Sequence, residues 1–206
     1  MTKTVALRRP QTLGEEIANA ISHGSGVVLA AAGTAVMIYL ACAGAQGLAG
    51  AIIYGLSLTV LYTASCVYHA VRDKRLKKVL RVFDHCSIFL LIAGTYAPIT
   101  LVALRDSVGI PLFAIISACA LIGITCNIID LERFKKLSMV LYVVMGWMAL
   151  LAIKPLLEIS SPSQLALLVG GGLSYTVGII FYAMTGKKYM HFVWHLFVLA
   201  GSILHY

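Results

Sequence analysis

The sequence predicts an all-α fold: a polytopic membrane protein with seven transmembrane helices and a cytoplasmic N-terminus. Three observations carry that expectation. Charge is sparse: 12% of the 206 residues are charged and 60% are hydrophobic, with a mean hydropathy of +0.93, whereas a soluble domain carries about twice that charged fraction. Charge is also unevenly placed. Residues 17–71, 85–104, 107–129, 137–153, 159–186 and 189–206 contain no Asp, Glu, Lys or Arg, and each run approaches or exceeds the ~17–20 residues that cross a hydrocarbon core ~30 Å thick. The first run is too long for one crossing. Gly44-Ala45-Gln46-Gly47-Leu48-Ala49-Gly50 is its natural turn, which brings the count to seven. The runs are continuously apolar rather than alternating, which argues against barrel strands.

The third observation is where the basic residues fall. Lys3, Arg8 and Arg9 precede the first span, and Arg72, Lys74, Arg75, Lys77, Lys78 and Arg81 join the second and third. Arg133, Lys135 and Lys136 join the fourth and fifth, and Lys187 and Lys188 the sixth and seventh. Fourteen of the sixteen basic residues therefore share one side, with only Arg105 and Lys154 opposite. The positive-inside rule puts that side, and the N-terminus, in the cytoplasm. The net charge of +8 belongs to these loops, so nucleic-acid binding finds no support. The whole of 1–206 reads as one membrane domain, with 1–20 as a cytoplasmic tail and interfacial helix start.

Taken in order, residues 1–11 read as a basic, poorly ordered tail. Thr12 followed by Glu15 is a capping-box pattern, so a helix is expected to start near Leu13. It is expected to lie along the inner interface before rising into the first span at about Ile21. Glu16, Asn19 and His23, at i, i+3 and i+7, share one face at the cytoplasmic end of that span. The second span, 51–69, runs inward, so His69 ends at the cytoplasmic side with Ser65 one turn above it. A basic loop over 72–81 follows, and the third span opens with Asp84-His85 on the same side. Pro98 is expected to kink it, with neighbouring helices or Thr95 satisfying the freed carbonyl. The fourth and fifth spans cover 111–129 and 137–153. Pro155 and Ser160-Ser161-Pro162-Ser163 mark an external loop. The sixth covers 165–185, where Gly170-Gly171-Gly172 permits close helix approach. The seventh, 191–206, is about 24 Å long at 1.5 Å per residue and barely spans, as in a chain trimmed at this end. No cleavable signal peptide is expected, because the first apolar run follows a polar segment and is too long for an h-region. Five cysteines without C-x-x-C spacing argue against a disulfide framework.

The candidate chemistry lies at the cytoplasmic ends of the spans. His191 and His195 are four residues apart on one helical face, about 5–6 Å apart at Cβ, close enough to share a metal ion. His69, Ser65 and Asp84 fall at similar depth. Three imidazoles and a water make a four-coordinate site typical of catalytic zinc, which lowers the pKa of that water towards ~7. The Asp84 carboxylate could then take the water's proton, and Ser65 could hydrogen-bond an oxyanion or orient the water. Other readings stand beside these. Asp84 could be an N-terminal helix cap, Ser65 could back-bond to the Leu61 carbonyl, and Cys66, at i, i+3 from His69, is a rival ligand. His85, about 100° around the helix from Asp84, reads as an interfacial residue. His205 lies about 15 Å along the axis from His195, too far to join the same ion. His23 is on the correct side, though its helical position alone leaves its direction open. Three imidazoles also suit cobalt, nickel or copper.

Four stretches together resemble a known family. They are Glu15-Glu16-Ile17-Ala18-Asn19-Ala20-Ile21-Ser22-His23-Gly24, Ser65-x-x-x-His69, Phe83-Asp84-His85 continuing to Ile92-Ala93-Gly94-Thr95-Tyr96-Ala97-Pro98, and His191-x-x-Trp194-His195-x-Phe197-Val198-x-x-Gly201-Ser202-x-x-His205. In this order they resemble the progestin and adipoQ receptor superfamily, specifically its bacterial hemolysin III-related branch, over nearly the whole chain. The resemblance implies a seven-helix, N-inside protein of the bacterial inner membrane, with zinc held by His69, His191 and His195. It implies water contacts from Ser65 and Asp84, membrane lipids as partners, and a role in lipid and fluidity homeostasis.

Two function classes remain open. One is a zinc-dependent hydrolase of a lipid amide such as a ceramide-like lipid, with the basic 72–81 segment favouring anionic headgroups. The other is a non-enzymatic sensor or regulator of bilayer fluidity, with zinc stapling the second and seventh spans. A pore is disfavoured, because the polar intramembrane groups cluster at one end and no helix offers a continuous polar stripe. A retinal protein would need a lysine in the last span, and a G-protein-coupled receptor the opposite orientation. The sequence does not specify an oligomeric state.

Overall fold

The computed structural model describes residues 9–42 and 47–206, and every regular element among them is helical. In chain order these are α1 (Leu13–Ala41), α2 (Gly47–Ala70), α3 (Lys74–Pro98), α4 (Ile110–Gly146), α5 (Ile153–Ile159), α6 (Pro162–Ala183) and α7 (Met190–His205). Most of the expected basic tail, including Lys3 and Arg8, lies outside the described residues, as does part of the expected turn at 44–50. The described helices on either side of that turn end at Ala41 and resume at Gly47.

The burial pattern is that of a protein whose solvent is lipid. On α1, Glu15, Asn19, Ser22 and His23 are buried, while Val28 and Tyr39 are 69% and 79% exposed. Polar groups inside and large apolar groups outside is the arrangement a hydrocarbon surround demands, since no water is there to satisfy outward-facing polar groups. Among the described residues, five helical stretches are long and apolar enough to cross a membrane: Leu13–Ala41, Gly47–Ala70, Lys74–Ala103, Arg105–Ile159 and Pro162–Ala183. The fourth is 55 residues long, and Met190–His205 is a shorter apolar helix.

Local chemistry explains where the helices begin and bend. α1 starts as expected: Thr12 and Glu15 form a reciprocal capping box, satisfying orphan donors of the first turn. It then continues without interruption to Ala41, with no break at Ile21. α3 differs more. Asp73 caps it, accepting from the amides of Arg75 at 3.0 Å and Leu76 at 2.8 Å. The expected basic loop over 72–81 is thus mostly helix. Lys77 pairs with Glu16 and Arg81 with Glu132, which offsets the cost of basic residues near a helix N-terminus. At Pro98 the helix passes into π-type turns, Ile99–Ala103 and Arg105–Gly109, a usual way of absorbing a missing amide donor. Thr95 does not satisfy the freed carbonyl of Gly94; its hydroxyl donates to Leu91 O at 2.8 Å.

The fourth and fifth expected spans are joined in α4, but its backbone leaves helical geometry at Asp130 (φ −161°, ψ 96°). There the Asp130 carboxylate accepts from the Arg133 amide at 3.0 Å, as an N-cap does. The expected boundary at 129 therefore falls on a capped bend rather than a loop. α6 begins at Pro162, with Ser161 and Gln164 forming a second capping box; the expectation had placed that start in the external loop.

Packing follows the order α6–α7–α1–α2–α3–α4. One apolar core, including Tyr54, Leu58, Tyr62 and Val198, joins α1, α2, α3 and α7. A second, including Phe89, Ile116 and Met145, joins α3 to α4 and α5. Of the three consecutive glycines, Gly171 makes the closest approach, lying under the His205 ring. Gly178 is equally demanding: a Cβ there would lie 2.7 Å from the Trp194 ring and 2.8 Å from Phe197 Cβ. Both neighbours belong to α7, beside its histidines. Gly178→Leu should therefore destabilise the α6–α7 pair by roughly 1–3 kcal/mol, the usual cost of overpacking. Thermal melting in detergent checks this, and an unchanged midpoint would contradict the packing described.

Candidate metal centre

Three imidazoles meet where the ends of α2 and α7 face the first turns of α1. The ring centroids of His69 and His191 are 5.1 Å apart, those of His69 and His195 5.1 Å, and those of His191 and His195 4.6 Å. One ligating nitrogen from each lies within 4.8 Å of the others. Tetrahedral coordination at ~2.0–2.1 Å per bond places such nitrogens about 3.4 Å apart, a closure within reach of small χ rotations. The helical spacing of His191 and His195 and the inward run of α2 therefore do what the sequence leads one to expect.

The α1 face decides which nitrogen His69 and His195 offer. His69 Nδ1 lies 2.7 Å from Glu16 Oε2. A carboxylate only accepts, so Nδ1 carries the proton and Nε2 keeps its lone pair. That Nε2 is buried without a hydrogen-bond partner, which is what an absent ligand would leave behind. Lys77 holds the other Glu16 oxygen at 2.9 Å, and Asn19 Nδ2 lies 3.4 Å from His69 Nδ1. His195 is treated likewise. Ser22 donates its hydroxyl proton to Asn19 O at 2.8 Å and lies 3.0 Å from His195 Nδ1. Its oxygen thus accepts from Nδ1–H, leaving Nε2 as the ligand atom. His23 stacks on His195, with centroids 3.6 Å apart and planes at 10°. Glu16, Asn19 and His23, expected as further site candidates at the cytoplasmic end, all touch the cluster. The donor set suits a borderline metal ion such as zinc: neutral imidazoles, fixed tautomers and a buried unpartnered nitrogen.

Beside the cluster is a cavity of about 30 Å³ whose polar wall comprises His23, Ser65, Asp84, His85, Tyr182, His191 and His195. That is room for about one or two waters. Asp84 sits well inside α3, whose cap is Asp73, so the helix-cap reading of Asp84 is overturned. Cys66 is not part of the cluster; its sulfur packs against α1 at Gly24, because one residue beyond Ser65 turns it away. His85, expected at the interface, lines the cavity. Its Nδ1 is 2.9 Å from Arg81 O, and its Nε2 is 3.4 Å from the Tyr182 hydroxyl. His205 stays apart as expected, bonded to Gly201 O and stacked on Tyr175.

A larger, mostly apolar cavity of about 150 Å³ lies between α3, the second half of α4, α6 and α7. Leu61, Ile88, Tyr182, Trp194 and Val198 border both cavities, so the two share a wall. Sequence reasoning missed Ser22, His85, Tyr182 and the Lys77–Glu16 pair. Ser22 was legible in principle, since it lies three residues beyond Asn19 on the same polar stripe. Tyr182 carries no such signal. Because Ser22 is the acceptor for a fully buried imidazole N–H, Ser22→Ala should cost about 1–3 kcal/mol. Denaturation of the metal-free protein checks this; Ser22→Thr, which keeps the hydroxyl, should lose much less.

The family of the chain follows from its similarity to known proteins. The chain matches the family model described as haemolysin-III related over residues 11–206. It is 41% identical over 201 residues to Hemolysin-3 of Bacillus cereus, covering 96% of this chain and 91% of that protein. It is 40% identical over 193 residues to the Hemolysin-3 homolog of Bacillus subtilis (strain 168), covering 93% and 91%. It is also 28% identical over 207 residues to the human Monocyte to macrophage differentiation factor, covering 97% and 84%. The matched region contains all three histidines and the α1 face that orients them. The chain accordingly belongs to the haemolysin-III related family, the bacterial branch of the progestin and adipoQ receptor superfamily.

Proposed function

We propose that this protein is a zinc-dependent hydrolase of a membrane lipid amide, acting in lipid and fluidity homeostasis of a bacterial inner membrane. The observation that carries this reading is the shared wall between the two cavities. A polar cavity bearing three imidazoles and a carboxylate adjoins an apolar one of about 150 Å³. Acyl chains fit the second and a polar linkage the first. His69, His191 and His195 would hold the zinc, which supplies Lewis-acid activation of water at neutral pH. Asp84, buried in the cavity wall, accepts a proton from water and can return it to a departing amine. Ser65 hydrogen-bonds the attacking water or the developing oxyanion. Tyr182 and Trp194, on the wall common to both cavities, border the passage of the lipid's polar end.

The topology belongs to the same proposal. Counting the two halves of the 55-residue stretch separately about the Asp130 bend, and adding α7, gives seven crossings. The basic segments then face the cytoplasm with the N-terminus. The zinc site would lie near the inner-leaflet headgroups.

Metal content by mass spectrometry tests the first step: about one zinc per chain is expected in detergent-purified protein, lost in His191→Ala. Glu16→Ala should weaken the metal about 10–100-fold through loss of the His69 partner, read by chelator competition. The alternative, a fluidity regulator with structural zinc, draws on the burial of His69 and His195 between α1, α2 and α7. Asp84→Asn separates the two. A hydrolase should keep its zinc but release fatty acid from lipid amides at least ~100-fold more slowly. A structural staple should keep both zinc and the protein's effect on membrane fluidity. Zinc-loaded wild type releasing no fatty acid from any lipid amide would overturn catalysis.

A further inference from the structure

The start of α7 is unusual for a helix that must aim a histidine. Its N-cap, Tyr189, has φ 60° and ψ 5° in the left-handed region and makes no side-chain capping bond. N-caps ordinarily adopt extended backbone and carry Ser, Thr, Asp or Asn, and none of those occupies position 189. A bulky residue with positive φ is strained and persists only where its surroundings hold it. Tyr189 is the one non-glycine residue with positive φ among the described residues. It stands two residues before His191, so any relaxation of this turn swings that imidazole.

What holds the turn comes from another helix. Glu15 Oε1 accepts from the Tyr189 backbone amide at 2.9 Å. The same oxygen pairs with Arg9, while Oε2 accepts from Thr12 N at 2.8 Å and Thr12 Oγ1 at 2.9 Å. Glu15 is only 3% exposed, and Arg9 and Thr12 hold its carboxylate from the α1 side. The Tyr189 hydroxyl lies 3.1 Å from where a Cβ on Gly14 would sit, so the ring rests on the first turn of α1. A capping box needs only the Thr12 contacts. The bond to Tyr189 joins the two helices that flank the histidines.

We propose that Glu15 is a positioning residue for the metal centre. By pinning the left-handed turn at Tyr189, it sets the direction in which His191 enters the cluster. This rests on the metal reading above and adds a residue that touches neither metal nor substrate. Gln at position 15 keeps an acceptor for the Tyr189 amide and loses the charge that pairs with Arg9. Gly at position 189 adopts the left-handed turn without strain and no longer needs the restraint.

The test is zinc affinity by chelator competition on the full chain in detergent, with thermal stability followed in parallel. Glu15→Ala should weaken zinc about 10–100-fold, the range for a lost outer partner. Glu15→Gln should stay within about threefold of wild type, and Glu15→Ala combined with Tyr189→Gly should return to that range. A residue that only stabilised α1 would lower the melting temperature in Glu15→Ala without changing zinc affinity, and that result overturns the proposal. So does a double variant that binds no better than Glu15→Ala. Should Glu15→Ala fail to fold, Tyr189→Val and Tyr189→Gly decide with Glu15 intact. Val is excluded from the left-handed region and should lose affinity, Gly should not, and equal affinities overturn the proposal. Wild type that binds no zinc overturns the metal reading and this one together; wild type that binds with an unaffected Glu15→Ala overturns this one alone.

Discussion

The 2.7 Å contact between Glu16 Oε2 and His69 Nδ1 is the interaction on which the site depends. In a helix surrounded by apolar residues, a neutral imidazole has no reason to prefer one tautomer. A carboxylate facing Nδ1 removes that freedom and leaves Nε2 as a lone-pair donor inside the cluster. Lys77 braces the same carboxylate from α3, so the orientation of one ring is set by α1, α2 and α3 together. Ser22 does the corresponding work for His195. α1, which contributes no ligand to the cluster, thus orients two of its three rings.

This division of labour explains the inverted surface of α1. Its first three turns bury Glu15, Asn19, Ser22 and His23, a costly arrangement in an apolar surround unless each group finds a partner. Glu15 and Ser22 do so through Thr12, Tyr189 and His195, and Asn19 does so through its amide nitrogen to Gln11, while its Oδ1 is buried without a hydrogen-bond partner. His23 is different. Its ring nitrogens are buried without hydrogen-bond partners, and it borders the small cavity.

Much of this was legible in the residues. The charge-free runs located the helices, and the Thr12–Glu15 pattern located the start of α1. The i, i+4 pair on α7 and the end of α2 gave the three-histidine cluster. What was not legible has physical causes. Basic residues over 72–81 look like a loop until Asp73 is seen to cap them and Glu16 and Glu132 to pair with two of them. Charge near Asp130 suggests a break, but not that one capped residue suffices to make a bend. Asp84 next to a basic segment suggests a cap; only the true start of α3 shows that it lies inside the helix. Tyr182 and His85 reach the cavity through tertiary packing between α3 and α6, and no local periodicity encodes that.

The adjoining cavities give the cluster its context. A metal centre closed on all sides would need no neighbouring space, whereas here Leu61, Ile88, Tyr182, Trp194 and Val198 are shared with a large apolar volume. The α6–α7 contact at Gly178 holds Trp194 on that boundary. The same close packing therefore supports both the helix that carries His191 and His195 and the wall between the two spaces.

The measurement that tests the central claim most directly is X-ray absorption spectroscopy at the zinc edge on detergent-purified protein. Three histidine nitrogens and one oxygen ligand are expected, at about 2.0–2.1 Å. A sulfur shell at about 2.3 Å would place Cys66 or another cysteine in the site. That result would contradict the three-histidine centre.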